Sequence, residues 1–122
     1  MKNKIKEGQV WSYKTRTSEE GSRLTIIKTD GHDKDLVIHI KIDGLKLIAK
    51  DSGDVIGTSI EHLPINLEMF KKSVRKIESV VESSINEGYL HWKKLFDKGN
   101  AGVWSIEIAD AIEMTEETYN SR

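Results

Sequence analysis

Residues 61–84, EHLPINLEMFKKSVRKIESVVESS, decide the fold, because an alternating, strand-like pattern there gives way to a helical one. Pro64 has no amide hydrogen for a ladder and biases Leu63 toward an extended backbone, so the preceding strand is expected to end there. Asn66 follows as an N-cap, with Glu68 in the first turn, where the helix dipole favours a carboxylate. On a helical wheel Phe70, Val74, Ile77, Val81 and Ser84 form one stripe, widened by Met69, Ser73 and Val80. Lys71, Lys72, Arg75, Lys76, Glu78, Ser79 and Glu82 take the other side. The spacing predicts one long helix from Asn66 to Ser84, with one face in the core and a basic face in solvent.

Upstream of this stretch the chain reads as sheet. Gln9 to Arg16 sets Trp11, Tyr13 and Thr15 against Val10, Ser12 and Lys14, and Ser22 to Thr29 sets Leu24 and Ile26 against Thr25 and Ile27. In the third run Leu36, Ile38, Ile40 and Ile42 share one face, and Val37, His39 and Lys41 the other. Asp43-Gly44 comes next, a pair suited to a type I′ hairpin turn because both central positions need positive φ. Residues 45–50 are therefore expected to fold back as a fourth strand, and residues 55–62 to form a fifth after a turn at Asp51-Ser52-Gly53-Asp54.

Downstream, Asn86-Glu87-Gly88 interrupts the pattern, and Tyr89, Trp92, Leu95 and Phe96 resume it on a second helix that Gly99 ends. Residues 103–114 fit strand parity through Trp104, Ile106, Ile108, Ile112 and Met114. They also fit a short helix, capped by Ser105, that gathers Ile108, Ala109 and Ile112. A short strand near Gly102 to Trp104 followed by that helix is the reading we favour. The result is an α+β fold, a bent antiparallel meander of about five strands able to close partly into a barrel. A two-helix unit covers it, the second helix lying beside the first through Tyr89, Trp92 and Phe96. One domain over residues 1–122 is expected, with residues 1–7 and 116–122 flexible.

Composition narrows the function classes. The 122 residues carry 19 Lys and Arg against 20 Asp and Glu, a formal net charge of −1, with the basic excess in the first half. A strongly basic nucleic-acid footprint is missing, so weak nucleic-acid binding is the third of three functional readings. The absence of cysteine excludes disulfides, thiolate ligands and thiolate nucleophiles, and suits a cytosolic setting. No apolar run is long enough to span a bilayer, and no apolar segment follows the lysines of Met1 to Lys6. A cytoplasmic location without a leader or a membrane partner is expected.

Four histidines are candidates for chemistry, and no two of them stand at i, i+4. His32 in a turn, His39 on the less apolar strand face and His91 on the polar side of the second helix read as solvated. His62 shares parity with Ile60 and Ile56, which points it toward the sheet face that receives the long helix, near that helix's N-terminus. An imidazole there can act as acid, base or ligand donor, or simply rest on a backbone carbonyl.

Trp11, Tyr13, Arg16, Glu19 and Glu20 form the densest aromatic and charged cluster. In a functional reading Arg16 is an anion-binding fork near Glu20, with Trp11 and Tyr13 as a platform for a planar ligand. In a packing reading both aromatics fill core and Arg16 pairs with Glu19 or Glu20 across a turn. Asp30, Asp33 and Asp35 lack the calcium-loop register and read as turn solvation, so no metal is expected. Nucleophile-elbow, P-loop and dinucleotide fingerprints are missing, so no cofactor is expected and a non-enzymatic role is favoured.

The run Trp11-Ser-Tyr-Lys-Thr-Arg16, the strand exit His62-Leu-Pro64 and Gly88-Tyr-Leu-His-Trp92 together resemble small uncharacterised bacterial single-domain proteins of this length. The resemblance covers nearly the whole chain. It implies a bacterial cytoplasmic protein and no particular activity or catalytic residue.

The favoured function is thus a non-enzymatic binding or protein-interaction domain. Its partner would be a protein or a small anionic or planar ligand, and its contact region Trp11, Tyr13, Arg16, Glu20 and His62. The alternative is a hydrolase-like enzyme with His62 as general base and Glu20 or Arg16 as its partner. A second copy of the chain could cover the sheet face that carries Ile27 and Val37, giving a homodimer.

Overall fold

The structure, a computed structural model, describes residues 5–121. Among them β1 (Gln9–Tyr13), β2 (Arg23–Asp30), β3 (Val37–Ile48), β4 (Val55–Asn66) and β5 (Val74–Val80) pair antiparallel in one sheet, in the order β4-β3-β2-β1-β5. Three helices, α1 (Leu67–Ser73), α2 (Glu87–Asp97) and α3 (Ile108–Asn120), complete an α+β fold. The class and the five antiparallel strands match the expectation from sequence. The sheet stays open instead of closing into a barrel, and two of the strands are made of different residues than expected.

The long helix is the main correction. Asn66 does cap a helix, its side chain accepting the Met69 amide hydrogen at 2.9 Å, but that helix stops at Ser73. Val74 to Val80 instead extends along the free edge of β1. The helical spacing was produced by β-bulges: Trp11 and Tyr13 pair with Ile77 and Val74, so three residues of β5 oppose two of β1. Half-buried Val74 and Ile77 consequently fall three apart, with exposed Arg75 and Lys76 between them. A bulged edge strand thus imitates a helix stripe.

Asp43-Gly44 is not a hairpin turn either, because β3 runs through it and pairs with β4 on both sides of the pair. Gly44 has φ +78°, and a Cβ there would sit 3.0 Å from the Ser22 Cα, so the strand bends at a position only glycine fits. The hairpin forms at the later turn, where Gly53 donates to the Ala49 carbonyl and Ala49 to the Asp54 carbonyl, both at 2.8 Å. Pro64 does not end its strand. Its carbonyl faces the outer edge of β4 and accepts the Trp104 amide at 2.9 Å, so the missing N–H breaks no bond to β3.

Helices cover both faces of the sheet. On one, Leu24, Ile26, Ile38, Ile40, Leu63 and Ile65 pack with Phe70 of α1 and with Ile108 and Ile112 of α3. On the other lies a smaller cluster of Ile27, Tyr89 and Trp92, flanked by Val37. The expected placement of α2 beside the first helix is therefore corrected: the sheet separates them. The Ile27 and Val37 face proposed for a homodimer is already covered by α2.

Residues 102–108 resolve into an isolated bridge from Trp104 to Ile65 and a helix beginning at Ile108. The cap is not Ser105. The Ile108 amide donates to the Ser73 hydroxyl at 3.0 Å, so the end of α1 satisfies the start of α3. Of the ends expected to be flexible, residues 1–4 and 122 lie outside the described residues, whereas α3 continues to Asn120.

That last turn of α3 has a specific task. β2 begins its pairing at Asp43, so β3 beyond Gly44 has no strand on that side. Side chains replace it. The Lys46, Ile48 and Lys50 amides donate to Glu19, Glu116 and Asn120 at 2.8, 2.7 and 2.7 Å, and the Asn120 amide group returns a bond to the Ile48 carbonyl at 2.9 Å. The Arg16 guanidinium donates to the Lys46 carbonyl at 3.3 Å.

Candidate functional site

The residues expected to bind ligand do not converge. Trp11 and Tyr13 are buried in the main core. The Trp11 indole donates to the Gln9 side chain at 3.1 Å, and the Tyr13 hydroxyl lies 2.7 Å from that of Ser22. Burial raises the Tyr13 pKa to about 12. Glu20 is exposed, its carboxylate accepting the Ser18 amide at 3.1 Å, and backbone bonds from its own and the Ser18 amide lower its pKa.

Arg16 is fully engaged. Its Nε and one Nη2 hydrogen grip Glu19 at 2.9 and 2.7 Å, Nη1 reaches Glu113 and Glu116 at 2.9 and 3.0 Å, and the remaining Nη2 hydrogen goes to Lys46. Five donors meet five acceptors, and three of the partners are carboxylates. These bonds, chiefly that to Glu19, raise the Arg16 pKa still further. Burial opposes the charge on Glu116, but the Ile48 amide and Arg16 outweigh it and hold its pKa low. An incoming anion would find no free donor on Arg16.

His62 lies elsewhere, and on the face opposite to the expected one. Between Ile42↔Ile60 and Ile40↔Leu63, β4 spends three residues on two of β3, and this bulge turns His62 away from the α1 side. No described contact joins it to Arg16 or Glu20. Its partner is His39, which the sequence reading left in solvent; the structure buries it completely, because α2 covers that face. His32 and His91 are exposed, as expected.

Three adjacent strands place Asp30, His39 and His62 in line. His39 Nε2 is 3.0 Å from Asp30 Oδ2, and His39 Nδ1 is 2.8 Å from His62 Nε2. The two rings lie within 14° of coplanar with centroids 5.0 Å apart, an edge-to-edge arrangement along the hydrogen bond. The Tyr89 hydroxyl donates to the same Asp30 oxygen at 2.9 Å. Tyr89 and Trp92 turn their ring planes 82° and 69° to His39, at 4.7 and 4.5 Å.

Since an ionised Asp30 accepts from Nε2–H, neutral His39 must offer Nδ1 as an acceptor to His62 Nε2–H. No buried side-chain nitrogen or oxygen among the described residues lacks a partner, so the unbonded His62 Nδ1 touches solvent. Burial, and then His39, lower the His62 pKa to about 4; burial also lowers that of His39 against the pull of Asp30. Burial and then Asp30 raise Tyr89 to about 12.

A second arrangement with chemical character is a groove of about 700 Å³ where β1, α1 and β5 meet. Trp11 and Phe70 form its floor, edge to face at 5.6 Å. Leu36, Leu67 and Val74 line its walls. Lys6, Lys71 and Arg75 stand around it, and Asp33 is the single acid. Trp11 was singled out in the sequence, but Lys71 and Arg75 were read as a solvated helix face.

Among the described residues no group of three or more His, Cys, Asp or Glu side chains is arranged to hold a metal ion, and no helix is long and apolar enough to cross a membrane. No protein-family model, no curated protein and no solved structure matches the chain.

Proposed function

We propose that the protein is a non-enzymatic binding domain whose ligand is a small amphipathic anion, an apolar body with a carboxylate or phosphate head, held in the groove between β1, α1 and β5. The observation that carries this reading is the pairing of an apolar floor with unpaired positive charge. Lys6, Lys71 and Arg75 form no ion pair among the described residues, whereas Arg16, the residue first suspected of binding an anion, is saturated by carboxylates. An apolar ligand body would gain from contact with Leu36, Leu67 and Val74, and its head group would meet the cationic rim. Neither a hydrolytic nor a nucleic-acid role draws comparable support, since His62 lacks the partners expected of it and the net charge is −1.

Titration of the full ¹⁵N-labelled chain with decanoate tests the reading, with decyltrimethylammonium and acetate as controls. Decanoate should shift the Trp11 indole signal and the amides of residues 67–75, and neither control should match it. Lys71→Glu with Arg75→Glu should weaken decanoate at least tenfold. Unmoved signals at millimolar decanoate, or equal binding of the cationic amphiphile, would overturn it.

A further inference from the structure

We propose that the Asp30–His39–His62 chain is an acid-operated latch, holding α2 against the sheet and releasing it when the second of the two rings takes up a proton. The inference concerns the face opposite the groove and stands independently of it.

The layer that α2 forms is separable from the main core. Tyr89 and Trp92 belong to the small second cluster, and no α2 residue contributes to the large one. Its other described ties to the rest of the chain are few: the Asn86 amide group donates to the Glu61 carbonyl at 2.7 Å, and the Trp92 indole to the Gly102 carbonyl at 2.7 Å. On the sheet the helix rests on Ile27 and Val37 and on the histidine pair. The Tyr89 hydroxyl bonds the carboxylate that anchors His39, and Gly88 approaches His62 so closely that an added Cβ would lie 2.8 Å from the His62 Cβ.

Proton counting shows how the latch opens. One proton can enter without breaking the chain: it binds the solvent-facing Nδ1 of His62, and the shared hydrogen bond can then pass the charge toward Asp30. A second proton cannot. Both rings would then be imidazolium, and His39 Nδ1–H and His62 Nε2–H would point at each other across 2.8 Å. The charges facing the pair from other elements are Lys28 on β2 and Lys93 on α2, which oppose further positive charge, and Asp30, which the first proton already uses.

With α2 released, both imidazoles are hydrated and titrate near their ordinary value of about 6.5. Burial keeps both docked rings below that value, so below about pH 6.5 the released form holds at least one proton more than the docked form. Each unit of pH there shifts the balance toward release by at least about tenfold. The shift continues until the docked pair also takes its second proton; His62 in the docked state titrates at about 4.

Amide exchange of the full chain between pH 7 and 4.5, expressed as protection relative to the intrinsic rate, reads this directly. Protection of residues 87–97 should fall at least tenfold more than that of Leu24 and Ile40. In His62→Gln the side-chain amide can donate to neutral His39 or accept from protonated His39, so once His39 is protonated the docked and released forms bind equal numbers of protons and the pH dependence should flatten there. Three results would overturn the latch: loss of α2 and core protection together, retained α2 protection at pH 4.5, or an unchanged profile in His62→Gln. Should that variant not fold, imidazole ¹⁵N shifts of the wild type decide. Double protonation coincident with α2 release supports the latch, and double protonation with α2 still docked overturns it.

Discussion

At Arg16, chemistry that looks functional in sequence is consumed by structure. The guanidinium expected to bind an anion is instead ringed by Glu19, Glu113 and Glu116, and the Glu19 side chain is only 1% exposed. Removing one partner of such a pair leaves a buried charge uncompensated, which costs more than the pair itself contributes. Arg16→Met should therefore lower the unfolding free energy by about 3 kcal/mol in urea titrations. Glu113→Ala, at a carboxylate 53% exposed, should cost under about 0.5 kcal/mol. Of the two readings of this cluster available from sequence, burial of Trp11 and Tyr13 with Arg16 on Glu19 is the arrangement observed. Sequence alone does not separate the two, because Glu113 and Glu116 approach from the far end of the chain. The burial of His39 is hidden from the sequence for a related reason. Strand parity correctly separated it from Ile38 and Ile40, but parity cannot say whether the second face is wet, and here α2 keeps it dry.

Elements were legible where their period was regular and misread where a bulge changed it. β1, β2 up to its own bulge after Ile26, and the first half of β3 alternate regularly and are legible; so is α2, with Asn86 accepting the Tyr89 amide at 3.0 Å and Gly99 at φ +77° past its end. β5 was lost because two-to-three pairing against β1 gives a strand the three-residue spacing of a helix, and one bulge in β4 sent His62 to the opposite face. Both errors have one source, since sequence periodicity assumes that paired strands advance at equal rates. The first turn of α2 offers a test at this scale. Glycine to alanine on an open helix surface stabilises by about 1 kcal/mol. At Gly88 the new methyl would meet the His62 Cβ at 2.8 Å, against an element that cannot easily yield. Gly88→Ala should therefore lower the melting temperature instead of raising it, and a calorimetric scan of the two proteins checks the sign.

Across the described residues, the sheet is a partition between two cores of unequal size, and two segments far apart in the sequence meet along one of its strands. Residues 16–19 and 116–120 together supply the side chains that occupy β3 beyond Gly44, where β2 has ended. An unpaired strand of this kind is a template for pairing with another chain. During synthesis, β3 and its hairpin partner β4 emerge well before residues 116–120 do, and for that interval the strand is exposed to its neighbours. Completion of α3 is in this sense a quality seal: it converts an adhesive margin into a closed one. A chain ending at Met114 should accordingly keep most of its sheet but associate with itself, appearing as concentration-dependent higher masses in light scattering where the full chain does not; a truncated chain of unchanged mass would show that the margin needs no seal.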